Sequence, residues 1–310
     1  LKKYPRDSFF LASKMPIWCC EKPEDVERIF NEQLKKCQTE YFDFYLLHSQ
    51  SDANFKKCQE FGVYEFLSKM KAEGKIRRLG FSFHDKPAVL RHICETYPWD
   101  FAQIQLNYLD WEMQDAKQQY EILTEFGIPV VIMEPVRGGA LAHLCDESDA
   151  LFKAARPDKS VASWAIRYAA SLPNVLTVLS GMSTPEQVAD NVATMTGFEP
   201  LTDADRAVIE QAVAVFREKK TIPCTACRYC MDCPFGVEIP KMFRLYNDYA
   251  LHKDERRYWK AYHDQPESEW ADKCKACGAC MEQCPQHIRI PDRMAEIKEL
   301  MNPSVVTIEP

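Results

Sequence analysis

The residues best suited to chemistry in this sequence are eight cysteines, which form two runs toward its carboxyl end. The first run is Cys224, Cys227, Cys230 and Cys233, and the second run is Cys274, Cys277, Cys280 and Cys284. In each run the first three cysteines are separated by two residues, and the fourth is followed by proline. Thiolates at this spacing are typical ligands of iron–sulfur clusters, so the two runs predict two 4Fe-4S clusters.

Each run resembles the cluster-binding run of bacterial ferredoxins, whose fourth cysteine binds the other cluster. The resemblance implies crossed ligation, in which the fourth cysteine of each run joins the first three of the other. One cluster would be held by Cys224, Cys227, Cys230 and Cys284, and the other by Cys274, Cys277, Cys280 and Cys233. The first run departs from the ferredoxin pattern, because only Met231 and Asp232 separate its last two cysteines.

The two runs belong to a longer internal repeat. Residues 233–240 align without a gap to residues 284–291, and we expect a short helix after the proline of each copy. The sequence between the copies is rich in helix formers and aromatic residues, which favours helices over a compact hairpin fold. We therefore expect a mainly helical dicluster domain over residues 221–310.

Two alternatives remain for these thiols, namely a pair of four-cysteine zinc sites and a set of disulfides. Zinc ribbons space their cysteine pairs differently and do not place a third and fourth cysteine in the same run. Disulfides are disfavoured because the sequence shows no secretory signal, so we expect a cytoplasmic protein whose thiols stay reduced. The other six cysteines are scattered through the first half, where we expect them to serve in packing.

The composition indicates a soluble globular protein. Hydrophobic residues make up 46% of the chain, charged residues make up 27%, and the formal net charge is -7. This acidic balance argues against a nucleic-acid partner, and no apolar run is long enough to suggest contact with a membrane. A chain of 310 residues predicts one large domain and one small one.

Short apolar runs alternate with helical segments from Ser8 to about Thr194, which is the pattern of βα units around a parallel sheet. We expect six strands, over residues 8–14, 42–48, 76–82, 101–107, 129–134 and 175–180. Each strand delivers a polar residue at or just beyond its carboxyl end: Lys14, His48, Ser82, Asn107, Glu134 and Ser180. In a (β/α)8 barrel this end carries the active site, so the six residues together favour a functional site over ordinary solvated loops.

Two loops after the last two strands are suited to binding phosphate. The first is Glu134–Gly139, where paired glycines allow close approach of a ligand and Arg137 supplies positive charge. The second begins at Ser180, and we expect Thr184 to cap a helix there with Gln187 completing a capping box. An ordinary capped helix would explain the second loop equally well.

Taken together, several segments resemble the aldo/keto reductases, and in particular the members with a C-terminal ferredoxin domain. The segments are residues 9–14, 43–48, 74–82, 103–108, 133–139 and 181–191, and they occur in the family's order. The resemblance implies an α/β fold of the (β/α)8 TIM-barrel type over residues 1–220, closed by a helix over residues 202–220. It also implies an oxidoreductase that exchanges hydride between NADP or NAD and a small carbonyl or alcohol substrate.

The same resemblance implies roles for individual residues. Lys14 and His48 match two members of the family's catalytic tetrad, the lysine that acts on the catalytic tyrosine and the histidine that orients the carbonyl. The residues expected to hold the nicotinamide cofactor are Ser82, Gln103, Pro135, Val136, Arg137, Gly138, Gly139, Ser183, Gln187 and Asn191.

The sequence departs from the family in two respects. It begins just before the family's third strand, so the catalytic Asp and Tyr have no counterpart. We expect the first part of the barrel to be missing from this sequence, although a genuine fragment and a barrel completed by another segment are the alternatives. Residues 181–191 contain no Lys or Arg to bind the 2′-phosphate of NADP, and Glu186 would repel it, which leaves the choice of cofactor open.

Two functions are compatible with these features. The first is an oxidoreductase whose barrel transfers hydride and whose clusters transfer single electrons, with a separate protein as a possible redox partner. Hydride carries two electrons and a cluster carries one, and no flavin-binding signature is evident to convert between them. The second is a non-catalytic electron-transfer or docking subunit that uses the barrel as a scaffold.

Overall fold

The computed structural model describes residues 3–301 and divides the chain into two compact units. The first unit contains the chain up to Pro135 together with Ala165–Pro200, and the second contains Val136–Trp164 together with the chain from Leu201 onward. None of the helices within the described range is long and apolar enough to cross a membrane.

The first unit is built on a parallel sheet of six strands, which pair in the order of the sequence. The strands are β1 (Ala12–Met15), β2 (Phe42–Gln50), β3 (Ile76–Phe83), β4 (Phe101–Gln105), β5 (Val130–Met133) and β6 (Val175–Val178). All six predicted strands are present, and helices connect each to the next. The prediction of βα units around a parallel sheet is therefore confirmed.

The helices that follow these strands are mostly amphipathic. They are α1 (Glu24–Cys37), α2 (Asp52–Glu60), α3 (Val63–Ala72), α4 (Pro87–Thr96), α5 (Asp110–Met113), α6 (Ala116–Glu125), α7 (Asp146–Ala155), α8 (Val161–Ala170) and α9 (Pro185–Met195). Helix α1 shows how they pack, since its buried Phe30 contacts the rings of Phe42 and Tyr45 of β2. Burial of such an apolar stripe supplies most of the stability of a helix in a protein.

Strands β1, β4, β5 and β6 are shorter than predicted. Residues 6–8 form a 3₁₀ turn, and the ladder between β1 and β2 begins only where Ala12 pairs with Phe44. Strand β4 ends at Gln105, because the side-chain oxygen of Asn107 accepts hydrogen bonds from the backbone N–H groups of Leu109 and Asp110. Such a side chain offers the backbone an alternative to the sheet ladder, which turns the chain out of the strand.

The second unit is mainly helical, as predicted for its cysteine-rich part. Besides α7 it contains α10 (Asp203–Arg217), α11 (Ile239–His252), α12 (Glu255–His263), α13 (Ala279–Glu282) and α14 (Ile290–Leu300). Helix α10 is the helix predicted over residues 202–220, and a capping box at Thr202 begins it. Arg156 binds Asp205 through two hydrogen bonds of 2.8 Å, which ties the segment after α7 to α10.

The internal repeat fixes the positions of two helices in this unit. Helices α11 and α14 begin at Ile239 and Ile290, which are equivalent positions of the repeat, and each has a proline in its first turn. Both helices contribute to one hydrophobic core, which includes Phe243, Tyr262 and Met294. Six of the eight cysteines of the two runs pack against this core, so the repeat places both runs on a common scaffold.

Candidate active site and cluster-binding cysteines

Lys14 and His48 lie on the same face of neighbouring strands. Lys14 of β1 pairs with Leu46 of β2, and His48 follows Leu46 by two residues. Side chains two residues apart on a strand share a face, so Lys14, Leu46 and His48 project to the same side of the sheet. The apolar residues Phe44 and Leu46 precede His48 on this face, so the polar pair lies toward the carboxyl ends of the strands.

Burial sets the protonation state of this pair. It lowers the pKa of Lys14, and it also lowers the pKa of His48 to about 4, with the charge of Lys14 as a second and smaller cause. His48 is therefore a neutral imidazole at neutral pH, with one ring nitrogen that donates and one that accepts. A cation beside a neutral donor is an arrangement that can stabilise negative charge on a carbonyl oxygen.

Trp18 is a neighbour of His48 that the sequence analysis missed. The centroids of the two rings are 4.7 Å apart, and 52% of the Trp18 residue surface is exposed. Trp18 lies four residues after Lys14, in the 3₁₀ turn of Ile17–Cys19 that follows β1. The sequence could have indicated Trp18 through its position in the loop after the first predicted strand, because such loops build the active site of a barrel.

Ser82 and Gln103 face each other across β3 and β4, where they are paired residues of the parallel ladder. Ser82 is fully buried, and its hydroxyl oxygen accepts a hydrogen bond of 2.8 Å from the backbone N–H of Ser49. The amide nitrogen of Gln103 lies 3.1 Å from the sulfur of Met133, which is a weak acceptor. The structure thus brings together the two residues expected to bind the nicotinamide.

Asp110 organises the polar residues at the end of β4. This fully buried carboxylate accepts hydrogen bonds from the side-chain amides of Gln105, at 2.7 Å, and of Asn107, at 2.6 Å. The Asn107 amide also donates to the backbone carbonyl of Glu134. Two of the predicted polar strand ends are therefore joined in one network, whose central Asp110 was not predicted.

The loop from Ser180 to Asn191 contains the predicted capping box. Thr184 accepts a hydrogen bond from the backbone N–H of Gln187, and the Gln187 side chain accepts from the N–H groups of Ser183 and Thr184. The Asn191 amide donates to the hydroxyl of Ser180. The backbone N–H groups of Ser183, Thr184 and Gln187 are thus already hydrogen-bonded, and the cofactor-binding role of this loop stays a prediction.

The loop after β5 has an unusual backbone. Pro135 ends the first unit, while Val136 begins the second, and the next three residues, Arg137, Gly138 and Gly139, all have positive φ angles, of 52°, 61° and 94°. The Arg137 side chain is buried, and its guanidinium donates a hydrogen bond of 3.2 Å to the carbonyl of Pro223. Gly138 packs directly against the backbone of Thr225.

The cysteines of the two runs are brought together in the groups that crossed ligation requires. A cavity of about 250 Å³ is lined by Cys233 together with Cys274, Cys277 and Cys280, and also by Cys230 of the first run. Within this set, Cys233 lies close enough to Cys280 to affect its pKa, as do Cys274 and Cys277. Cys284 of the second run lies close enough to Cys224, Cys227 and Cys230 for the charges of these thiols to affect one another. The fourth cysteine of each run is thus placed with the first three of the other run.

The arrangement fits a cluster better than a single ion. Within residues 3–301, no three His, Cys, Asp or Glu side chains converge closely enough to hold one metal ion, whereas five cysteines line the wider cavity described above. Burial raises the pKa of Cys224, and it raises the pKa of Cys230 to about 12. Among the weaker influences on Cys224, the positive charge of Arg137 opposes this rise. Cluster binding would therefore release protons from these thiols.

Comparison with known proteins agrees with this description of the two parts. Residues 1–214 match the model of the aldo/keto reductase family, and residues 223–289 match the model of the 4Fe-4S dicluster domain. The NADH-specific methylglyoxal reductase of Escherichia coli is 25% identical over 256 residues, which cover 68% of this chain and 76% of that protein. The L-galactose dehydrogenase of Arabidopsis thaliana is 24% identical over 216 residues, which cover 64% of this chain and 66% of that protein.

Solved structures show the same barrel fold. An aldo-keto reductase from Bacillus halodurans, in its holo form, is 25% identical and superposes with a TM-score of 0.55 over 68% of this chain and 74% of its own. An aldo-keto reductase from Klebsiella pneumoniae in complex with NADPH is 23% identical, with a TM-score of 0.55 over 66% of this chain and 70% of its own. Since the matching family model covers more than half of the sequence, this chain belongs to the aldo/keto reductase family and carries a 4Fe-4S dicluster domain after its barrel.

Proposed function

We propose that the barrel exchanges hydride between a nicotinamide cofactor and a small carbonyl or alcohol substrate. The observation that carries this proposal is the placement of Lys14 beside His48, on one face of β1 and β2, with the pKa of His48 lowered partly by the charge of Lys14. We also propose that the barrel domain ends near residue 220 and that the dicluster domain begins there.

A bound reduced nicotinamide would supply the hydride for the carbonyl carbon, and the carbonyl oxygen would take its proton from the Lys14 ammonium, which solvent would then reprotonate. The neutral His48 imidazole would donate a hydrogen bond to that oxygen, and Lys14 would stabilise the negative charge that develops on it. Trp18, whose ring lies against His48, would form an apolar wall beside the carbonyl and exclude water from it.

Ser82 and Gln103 would hold the carboxamide of the cofactor, since both are buried and both carry groups that pair with an amide. The remaining contacts would come from Pro135, Val136, Arg137, Gly138, Gly139, Ser183, Gln187 and Asn191. We favour NAD over NADP, because residues 181–191 contain no basic side chain and Glu186 lies in the first turn of α9. The specificity of the Escherichia coli methylglyoxal reductase for NADH supports this choice.

The two predicted clusters would transfer single electrons to or from a redox partner protein. The crossed grouping of the eight cysteines supports two sites, one on each set of four thiols. Addition of NADH to the anaerobic holoprotein tests a link between the two parts. Bleaching of the cluster absorbance would show that electrons pass from the cofactor to the clusters, whereas an unchanged spectrum would show that the barrel and the clusters do not exchange electrons.

Replacement of Lys14 tests the hydride-transfer proposal. In the full-length protein, Lys14→Met should lower kcat/KM for methylglyoxal and related carbonyls by roughly 10²–10⁴-fold, which is the usual contribution of a catalytic group of this kind. Lys35→Met removes an exposed lysine from α1 and should leave the kinetics unchanged. If Lys14→Met and His48→Ala both retained full activity, the barrel would not use this pair and the proposal would fail.

A further inference from the structure

The loop that follows β5 contacts the backbone on both sides of the first cluster-binding cysteine. The Arg137 guanidinium donates to the carbonyl of Pro223, and Gly138 packs against Thr225. Pro223 and Thr225 are the two chain neighbours of Cys224, and Thr225 is itself buried. All of these residues belong to the second unit, so the contact is internal to it.

Gly138 is required for this contact on two grounds. A Cβ atom at this position would overlap the carbonyl oxygen of Thr225 and lie 3.0 Å from the carbonyl carbon. The φ angle of 61° is also one that residues with a Cβ rarely adopt. Gly139 provides a contrast, because its φ of 94° is also positive but its own Cβ position has no atom within 4 Å.

Arg137 brings a permanent positive charge to the same place. Only 5% of its surface is exposed, although arginine is seldom buried in proteins without a specific partner. In an interior of low dielectric constant, a fixed cation stabilises added negative charge more strongly than it would in water. A 4Fe-4S cluster becomes more negative by one charge on reduction, so a nearby guanidinium favours the reduced form.

We propose that Arg137 and Gly138 form a positioning element for the cluster bound through Cys224. Gly138 admits the backbone of Thr225, the Arg137 hydrogen bond fixes Pro223, and the cation raises the reduction potential of this cluster relative to the one bound through Cys274. This role is additional to the cofactor contacts proposed for the same loop. It does not depend on hydride transfer, because it concerns only the protein around the cluster.

Reduction potentials of the anaerobic holoprotein test the part assigned to Arg137. In an EPR-monitored titration, Arg137→Gln should shift the potential of one cluster to a more negative value and leave the other unchanged. Arg137→Lys keeps the charge, so the potential of this cluster should stay close to its value in the unaltered protein. Arg156→Gln removes another partly buried guanidinium of the same unit, the one bound to Asp205, and should leave both potentials unchanged.

Unchanged potentials in an Arg137→Gln protein with full iron content would overturn the electrostatic part of the proposal. An equal shift of both clusters would overturn it as well, because the hydrogen bond from Arg137 to Pro223 lies beside Cys224 of the first run. Loss of one cluster from Arg137→Gln, with retention in Arg137→Lys, would support the positioning role instead.

Substitutions of Gly138 and Gly139 test whether the contact with Thr225 positions the cluster. The measurement is the iron content, which does not depend on activity. Gly138→Ala should lose roughly half of the iron, corresponding to one of two 4Fe-4S clusters, or release it faster to a chelator. Gly139→Ala imposes similar backbone strain without the contact to Thr225, and should keep its iron. Equal iron contents in the two variants, whether both full or both depleted, would show that the contact with Thr225 does not position the cluster.

Discussion

His48 illustrates how a single residue acquires its properties from its surroundings. Its imidazole is a base whose ordinary pKa of 6.5 is lowered to about 4, first by burial and then by the charge of Lys14. The unfolded chain would therefore take up a proton near pH 6.5, whereas the folded protein would resist protonation down to about pH 4. The stabilising contribution of neutral His48 is present above pH 6.5 and is lost as the pH falls through this range.

We predict that Lys14→Met raises the pKa of His48 but leaves it below 6.5. Removal of the neighbouring charge relieves the smaller cause of the shift, while burial, the larger cause, remains. The measurement is an NMR pH titration of the histidine ring signals, with His48→Gln used to assign the signal among the seven histidines. Lys35→Met serves as the control and should leave the titration unchanged.

An unaltered His48 pKa in Lys14→Met would show that the two side chains are too far apart to interact. A His48 pKa that returned fully to 6.5 would show that burial contributes little to the lowered value. The first result would remove the electrostatic basis for pairing these residues in catalysis, whereas the second would assign nearly the whole shift to Lys14.

At the scale of secondary-structure elements, the close approach of β3 and β4 depends on Gly80. This residue pairs with Phe101 across the two strands, and a Cβ atom on it would overlap the Phe101 carbonyl oxygen and lie 2.7 Å from the ring. The same two strands carry Ser82 and Gln103 two residues further on. The register that aligns this pair therefore depends on the absence of a side chain at Gly80.

We predict that Gly80→Ala destabilises the folded protein by about 1–3 kcal/mol, the usual cost of forcing extra atoms into a packed interior. Chemical denaturation followed by circular dichroism measures this change. Gly181→Ala is the matched control, because its Cβ would meet nothing within 4 Å and its backbone conformation is ordinary. This control should be neutral or slightly stabilising, through the reduced entropy of the unfolded chain. Equal stability of the two variants would contradict the close contact at Gly80.

At the scale of the whole molecule, the internal repeat places two cysteine runs on one hydrophobic core. Cysteines of one run thereby lie beside cysteines of the other run. Each cluster would then require cysteines from both runs, which are separated in the sequence by helices α11 and α12. Loss of one run would therefore affect both clusters. Such a dependence makes the dicluster part a single cooperative unit.

We predict that pairs of Cys→Ala substitutions reveal crossed ligation through the iron content. Cys233→Ala alone should remove roughly half of the iron, since it disables one of two 4Fe-4S clusters. Adding Cys277→Ala should cause little further loss, because both residues would serve the same cluster. Combining Cys233→Ala with Cys227→Ala should remove nearly all of the iron, because these residues would serve different clusters. Ligation within each run would give the reverse order for the two double variants.

The sequence by itself determined the features that depend on local spacing. The two cysteine runs, the order of the six strands and the capping box at Thr184 all follow from residue types at fixed intervals, and the structure contains each of them. Lys14, His48 and Ser82 were selected as polar residues at strand ends, and Gln103 was selected through the family resemblance; their roles stay predictions. The extents of β1 and β4 were less certain, since side-chain hydrogen bonds such as that of Asn107 compete with the ladder.

Only the tertiary structure decided which distant groups meet. Trp18 lies against His48, Asp110 collects the amides of Gln105 and Asn107, and Arg137 reaches a carbonyl 86 residues away in the chain. The glycines at 138 and 139 look equivalent in the sequence, yet only Gly138 has a backbone packed against its Cβ position. Periodicity and spacing predict the local secondary structure of a segment. Contacts between distant segments depend instead on how the packed elements fill space, which no local pattern records.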